Sequence, residues 1–221
     1  MKSARSAKLR SITYTSGSNL ELPEEYDVLK IRGSVSILSA VHLNRISTHG
    51  YGLFRSQVTV EELHSSGACV LEDCCQAKQL LNNGSLKLDT GHITSVVSSG
   101  NLTIKYLLKT EDLSAIGMIH GKEIHAKQCL LKLSSESKIE RLVTEKAQIS
   151  KDQKSLSLLK KRLLCEYIKG QQLYLSYTHA DIVEGDTVII DKNCSIHTLY
   201  YTEDYRISPK SEVHQVIRRE K

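Results

Sequence analysis

The chain has no tryptophan, a single phenylalanine at Phe54, and only two prolines and two methionines among 221 residues. A core built from it must be aliphatic, because the ten tyrosines gather late, at Tyr167, Tyr174, Tyr177, Tyr200, Tyr201 and Tyr205 among others. No run approaches the roughly 18 consecutive apolar residues of a membrane-spanning helix. The N-terminus lacks the apolar stretch of a signal peptide. The expected location is the cytoplasm. Cys69, Cys74, Cys75, Cys129, Cys165 and Cys194 form no C-x-x-C pair and have no matching histidine pair, so they read as buried free thiols in a reducing compartment. There is no G-x-S-x-G elbow, no phosphate-binding G-x-x-x-x-G-K-[ST] loop and no dinucleotide fingerprint. The net charge of +5 is spread along the chain without a basic, aromatic-interleaved stripe, which argues against a nucleic-acid partner. Neither a cofactor nor a catalytic residue is expected on these grounds.

What the chain does have is a glycine returning at a nearly fixed interval: Gly33, Gly50, Gly67, Gly84, Gly100 and Gly117. Apolar residues follow two and four positions later, as Val35 and Ile37, Cys69 and Leu71, Leu86 and Leu88, Leu102 and Ile104. The second unit has Gly52 and Phe54 there instead. A further apolar column runs through Ile46, Leu63, Leu80, Val96 and Leu113. A fixed period with alternating apolar positions means one supersecondary unit stacked on copies of itself.

The length of the unit selects the kind of solenoid. Helical repeats need about 30 residues or more, propeller blades about 40, and leucine-rich repeats start near 20 with an asparagine or cysteine ladder. A unit of 17 residues fits a parallel β-helix coil, in which alternate side chains point inward and the backbone pairs with the coils above and below. The glycines would mark corners where positive φ is tolerated. The expected fold is all-β, a right-handed parallel β-helix of nine or ten coils about 45 Å long. Its inward set contains Val35, Ile37, Ile46, Leu63, Leu71, Leu80, Leu86, Leu88, Leu102, Ile104 and Leu113.

Taken in order, residues 1–19 carry Lys2, Arg5, Lys8 and Arg10 among small polar residues and read as a disordered basic tail, able to make a weak contact with anionic membrane. Coils occupy 20–149. Over 150–166 the leucines Leu156, Leu159 and Leu163 recur at helical spacing among Lys151, Lys154, Lys160, Lys161 and Arg162, which predicts a basic amphipathic helix or linker. Residues 167–221 return to coils and end in a short tail. The step of 17 there links Leu173 to Ile190 and Ile207, Ile182 to Leu199 and Val216, and Ile196 to Val213.

Nine histidines invite a catalytic or metal-binding reading. The phase of His42, His92, His125 and His197 places them on the outer wall, and no second ligand follows at metal spacing along a strand, although stacked coils bring distant residues together. Acidic pairs such as Glu61 with Glu62 and Glu111 with Asp112 read as solvated coil ends. A hexapeptide acyltransferase would repeat an apolar residue every six positions, and this chain does not.

The lead-in from Glu24 and Glu25 through Tyr26, Asp27, Val28, Ile31 and Arg32 to Gly33, the 17-residue glycine-marked coils and the late stretch from Gly170 to Tyr201 resemble the bactofilins, bacterial polymer-forming cytoskeletal proteins. The likeness is closest to the longer Bacillus-type members. It implies filaments assembled without nucleotide, with like ends meeting, and service in cell shape, polar organisation or flagellar motility. The expected partners are further copies of the chain or a sister bactofilin. The coil ends expected to meet are Tyr26, Val28 and Ile31 at one end and Tyr205, Ile207, Val213 and Val216 at the other. The rival expectations are an acyltransferase-like or sugar-modifying β-helix enzyme, which would show a concavity with converging histidines or carboxylates, and a monomeric adaptor for an envelope or flagellar partner.

Overall fold

The computed structural model describes residues 9–23, 25–154 and 160–220. The chain is all-β and forms a parallel β-solenoid of about 12 turns. Its strands are β1 (Ser11–Leu20), β2 (Val28–Ile37), β3 (Val41–Thr48), β4 (Tyr51–Phe54), β5 (Val58–Ser65), β6 (Ala68–Asn82), β7 (Ser85–Ser98), β8 (Asn101–Leu133), β9 (Ser137–Lys151), β10 (Leu163–Leu175), β11 (Thr178–Ile190), β12 (Ser195–Ile207) and β13 (Glu212–Arg218). They pair in sequence order from β1 to β13, with β4 filling the gap between β2 and β6. Every pairing is parallel, and the partners of Val28, Arg45 and Glu62 lie one coil further on at Arg45, Glu62 and Gln79.

Each coil makes three short walls. In the coil of residues 45–60 they are 45–48, 51–54 and 58–60, and we refer to the corresponding segments elsewhere as the first, second and third walls. Alternation puts one side of every wall inside. The eleven residues expected inside are all buried, from Val35 to Leu113. Phe54 also faces in, and Gly52 makes room for it: a Cβ at Gly52 would press on the Phe54 ring and on Ile31 and Thr48. One inward column of the first wall is polar over four coils, through Thr48, Ser65, Asn82 and Ser98, before turning to Ala115 and then to aliphatic residues. Asn82 satisfies itself by donating to Ser98 Oγ and to the Asn101 carbonyl, both at 2.9 Å.

The repeating glycines do sit at corners, but their conformation is not the reason. Of the six, only Gly117 has positive φ, at 157°. Instead, a Cβ at Gly50 would collide with the carbonyl oxygen of Gly33, one at Gly67 with that of Gly50, and so on along the column. The backbone of each coil rests on the corner below with no space for a side chain. After Gly117 the column has no further glycine, and Tyr177 (φ 54°) and Asn193 (φ 57°) turn later corners in the left-handed region.

Four expectations are corrected. Residues 11–19, read as tail, belong to β1, whose Ile12 and Tyr14 register on Leu29 and Ile31; polar composition hid a strand whose inward positions are apolar. No helix is present over 150–166 among the described residues: Lys151 ends β9, and Leu163 begins β10 and is fully buried. Leu156 and Leu159 lie outside the described residues. The interruption is a longer corner, since Arg141 registers on Tyr167, a step of 26, held at both sides by Asp152 N–H to the Leu133 carbonyl and Ser137 N–H to the Arg162 carbonyl. The coils after the corner vary in length: Leu173 registers on Val188, 15 on, and Ile182 on Thr198, 16 on, so Ile182 leaves the column of Leu199 and is exposed, while Ile190 on Ile207, Ile196 on Val213 and Leu199 on Val216 keep the expected 17. With β1 added and the long corner spanned, about 12 turns replace nine or ten.

Candidate assembly ends

A parallel solenoid has two terminal coils, and each must leave one edge of backbone N–H and C=O groups without a neighbour unless something covers it. Here β1 pairs with β2 alone and β13 with β12 alone among the described residues. The N-terminal edge is the uncharged run Ser-Ile-Thr-Tyr-Thr-Ser-Gly-Ser-Asn-Leu. Its inward side chains, Ile12, Tyr14 and Leu20, together with Leu22, pack on the core from one side only and are partly buried. Val28 and Ile31, expected at this end, lie one coil inside and are buried beneath β1, and Tyr26 is half-buried at the corner leading to them. The sequence reading missed Ile12, Tyr14 and Leu20 although their alternation over Ile12 and Tyr14 was visible; Gly17 and two register irregularities break it before Leu20.

At the C-terminal end the expected residues are on the last coil. Ile207 and Val213 are partly buried against the core, and Tyr205 and Val216 are 39% and 38% exposed. Tyr205 packs against Tyr201, with ring centroids 4.5 Å apart and planes tilted by 54°. Strand β13 covers the second and third walls, whereas the first wall ends one rung lower, at 204–207. Charge on the last strand is confined to Glu212 and Arg218, with His214 between them.

Between the ends, cross-coil pairs of opposite charge tie the outer surface: Arg45 with Glu62, Lys78 with Glu61, Lys105 with Asp89, and Lys127 with Glu111. The acidic residues read as solvated coil ends are thus on outer columns with basic partners one coil away. The walls are not smooth. One depression of about 520 Å³ follows a corner whose floor is Thr110, Ala126, Thr144, Gly170 and Gly185. Beside it Glu184 receives hydrogen bonds from Lys169 Nζ and Tyr167 Oη, both at 2.8 Å, and Arg219 lies 3.1 Å away. Partial burial pushes the Glu184 carboxyl up, but those hydrogen bonds and the two cations outweigh it and hold the carboxyl below its ordinary value. A second depression, of about 580 Å³, lies on the first wall over Cys129, Ala147 and Tyr174.

A third depression, of about 340 Å³, is on the second wall near the C-terminal end, lined by His179, His197, His214, Glu166 and Asp181. It meets the geometric condition set for the enzyme alternative. Its one thiol is unsuited to attack: burial pushes Cys165 up to about 12, and the Sγ–H donates to the Tyr167 carbonyl. His179 is lowered by burial and by the charge of Arg162, whereas His197 and His214 stand exposed on the wall. His42 and His92 are exposed too and His125 is half-buried, all on the third wall, where the alternation placed them. Among the described residues no group of three or more His, Cys, Asp or Glu side chains is arranged to hold a metal ion.

No family model matches the chain. No solved structure matches it either. A protein of Bacillus subtilis (strain 168), named "Uncharacterized protein YhbE", is 33% identical over 95 residues, which make up 41% of this chain. The match spans 40% of that relative's length.

Proposed function

We propose that the chain is a non-enzymatic, bactofilin-like scaffold that stacks end to end into filaments without nucleotide. The observation that carries this reading is the state of the two terminal coils: among the described residues each offers an unpaired strand edge beside apolar side chains that are packed from one side only. Most solenoids need a polar terminal repeat to stay soluble as single molecules, and β1 has no charged residue at all. Stacking satisfies the free edges and completes the burial of Ile12, Tyr14 and Leu20 and of Tyr205, Ile207, Val213 and Val216. Like ends meeting give a filament without polarity, and unlike ends give a polar one; the bactofilin resemblance favours the first.

The test is pelleting and negative-stain imaging of the wild type, Leu20→Arg and Val213→Arg, with and without nucleotide. The expected result is nucleotide-independent filaments of the wild type and their loss in both variants, with circular dichroism unchanged. A wild type that stays monomeric, with no sister protein able to recruit it, would move the reading to a monomeric adaptor. The histidine-lined depression favours the enzyme alternative, and turnover of an acyl donor or a glycan that is abolished by His179→Ala would establish it.

A further inference from the structure

His197 and His214 are 17 positions apart in sequence, and the coil period brings them side by side. Ile196 registers on Val213 and both face in, so the next residue on each strand, His197 on β12 and His214 on β13, faces out on the second wall. Their ring centroids are 5.6 Å apart and the planes are tilted by 53°. Two imidazoles bound through nitrogen to one tetrahedral ion at 2.0–2.1 Å have centroids about 5.2 Å apart, so the centroid spacing of the pair is within a few tenths of an ångström of that of two ligands on one ion. The Nδ1 of His214 is 3.8 Å from Glu212 Oε1. That is too long for a hydrogen bond, but a carboxylate closing on Nδ1 would leave the lone pair on Nε2, the arrangement that orients metal-bound histidines. Imidazole pairs select zinc, nickel or copper over magnesium and calcium, which prefer oxygen.

Two ligands do not close a tetrahedron, and no third side chain converges on the pair among the described residues. The place of the pair supplies the rest: His214 is on the last strand of the solenoid, at the end where a second copy would stack. We propose that His197 and His214 are half of a tetrahedral site for a divalent transition metal of the zinc class, completed by the same pair from a second copy meeting it at the C-terminal end. This rests on the end-to-end reading. The ion strengthens one of the two end contacts; filaments form without it.

The experiment uses the full chain stripped with EDTA, titrated with zinc chloride in a calorimeter and followed by sedimentation, alongside His197→Ala and His214→Ala. The expected result is one zinc per two chains, with affinity reduced by more than about tenfold in either variant and no heat from magnesium. Leu20→Arg, which blocks the N-terminal contact, should dimerise through its C-terminal end at lower protein concentration once zinc is added, and lose that gain with EDTA. Equal zinc binding by wild type and variants, one zinc per chain, or a Leu20→Arg monomer at saturating zinc would each overturn the shared site. Filaments of zinc-free wild type would still stand in that case, so this failure is distinct from failure of the assembly reading.

Discussion

At the scale of single residues, the interior sets the chemistry of its own side chains. Burial pushes the thiols of Cys69, Cys75, Cys129 and Cys165 up to about 12. An unfolded thiol ionises near 8.5. Below that pH both states hold the proton, and stability is unaffected. Above it the unfolded chain alone releases protons, so each thiol removes up to about 1.4 kcal/mol per pH unit until the folded value is reached. Denaturant midpoints should therefore fall steeply between pH 8 and pH 11, and Cys→Ala replacement of these four should flatten the fall; a profile unchanged by the replacements would contradict the burial. The glycine column allows a second test. Gly67→Ala places a methyl against the Gly50 carbonyl oxygen and should cost about 1–3 kcal/mol or more in chemical denaturation, whereas Ala in place of an exposed residue such as Gln76 should change little.

At the scale of elements, the long corner between β9 and β10 is an insertion that the solenoid carries without losing register, because both of its ends are hydrogen-bonded to neighbouring coils. Excising residues 153–161 returns the step to 17. The melting temperature should stay within several degrees of wild type, since cutting the connection from 11 residues to 2 changes its closure entropy by only about 1.5 kcal/mol; a large loss would show that the segment packs as part of the core. The coil length and inward columns from Val35 to Leu113 were legible in the sequence because glycine collision and apolar alternation repeat there with nearly the same step. What escaped had a physical cause in each case. β1 has polar outward residues and an irregular register, so Ile12 and Tyr14, cut off from Leu20, looked isolated. Leu163 sits at helical spacing from leucines of the corner, yet belongs to the next coil. Steps of 15 from β10 to β11 and of 16 over the first part of β11 replace 17 there, and a shift of one residue exchanges the two faces of a strand, which is why Ile182 was put in the column of Leu199. The histidine pair was hidden because its spacing is the coil period itself, and only stacking makes the two rings neighbours.

At the scale of the whole molecule, about 12 rungs spaced roughly 4.8 Å apart make a rod of about 58 Å. Its flanks are closed by cross-coil ion pairs, and its ends are closed by nothing among the described residues. The central claim is that copies meet through those ends. Electron microscopy of the purified wild type at tens of micromolar, without nucleotide, tests it most directly through the axial spacing. The account predicts filaments whose 4.8 Å rungs run through the junctions, with a subunit rise near 58 Å, or a doubled repeat where like ends alternate. Single rods of about that length, at every concentration and with their ends free, would contradict it.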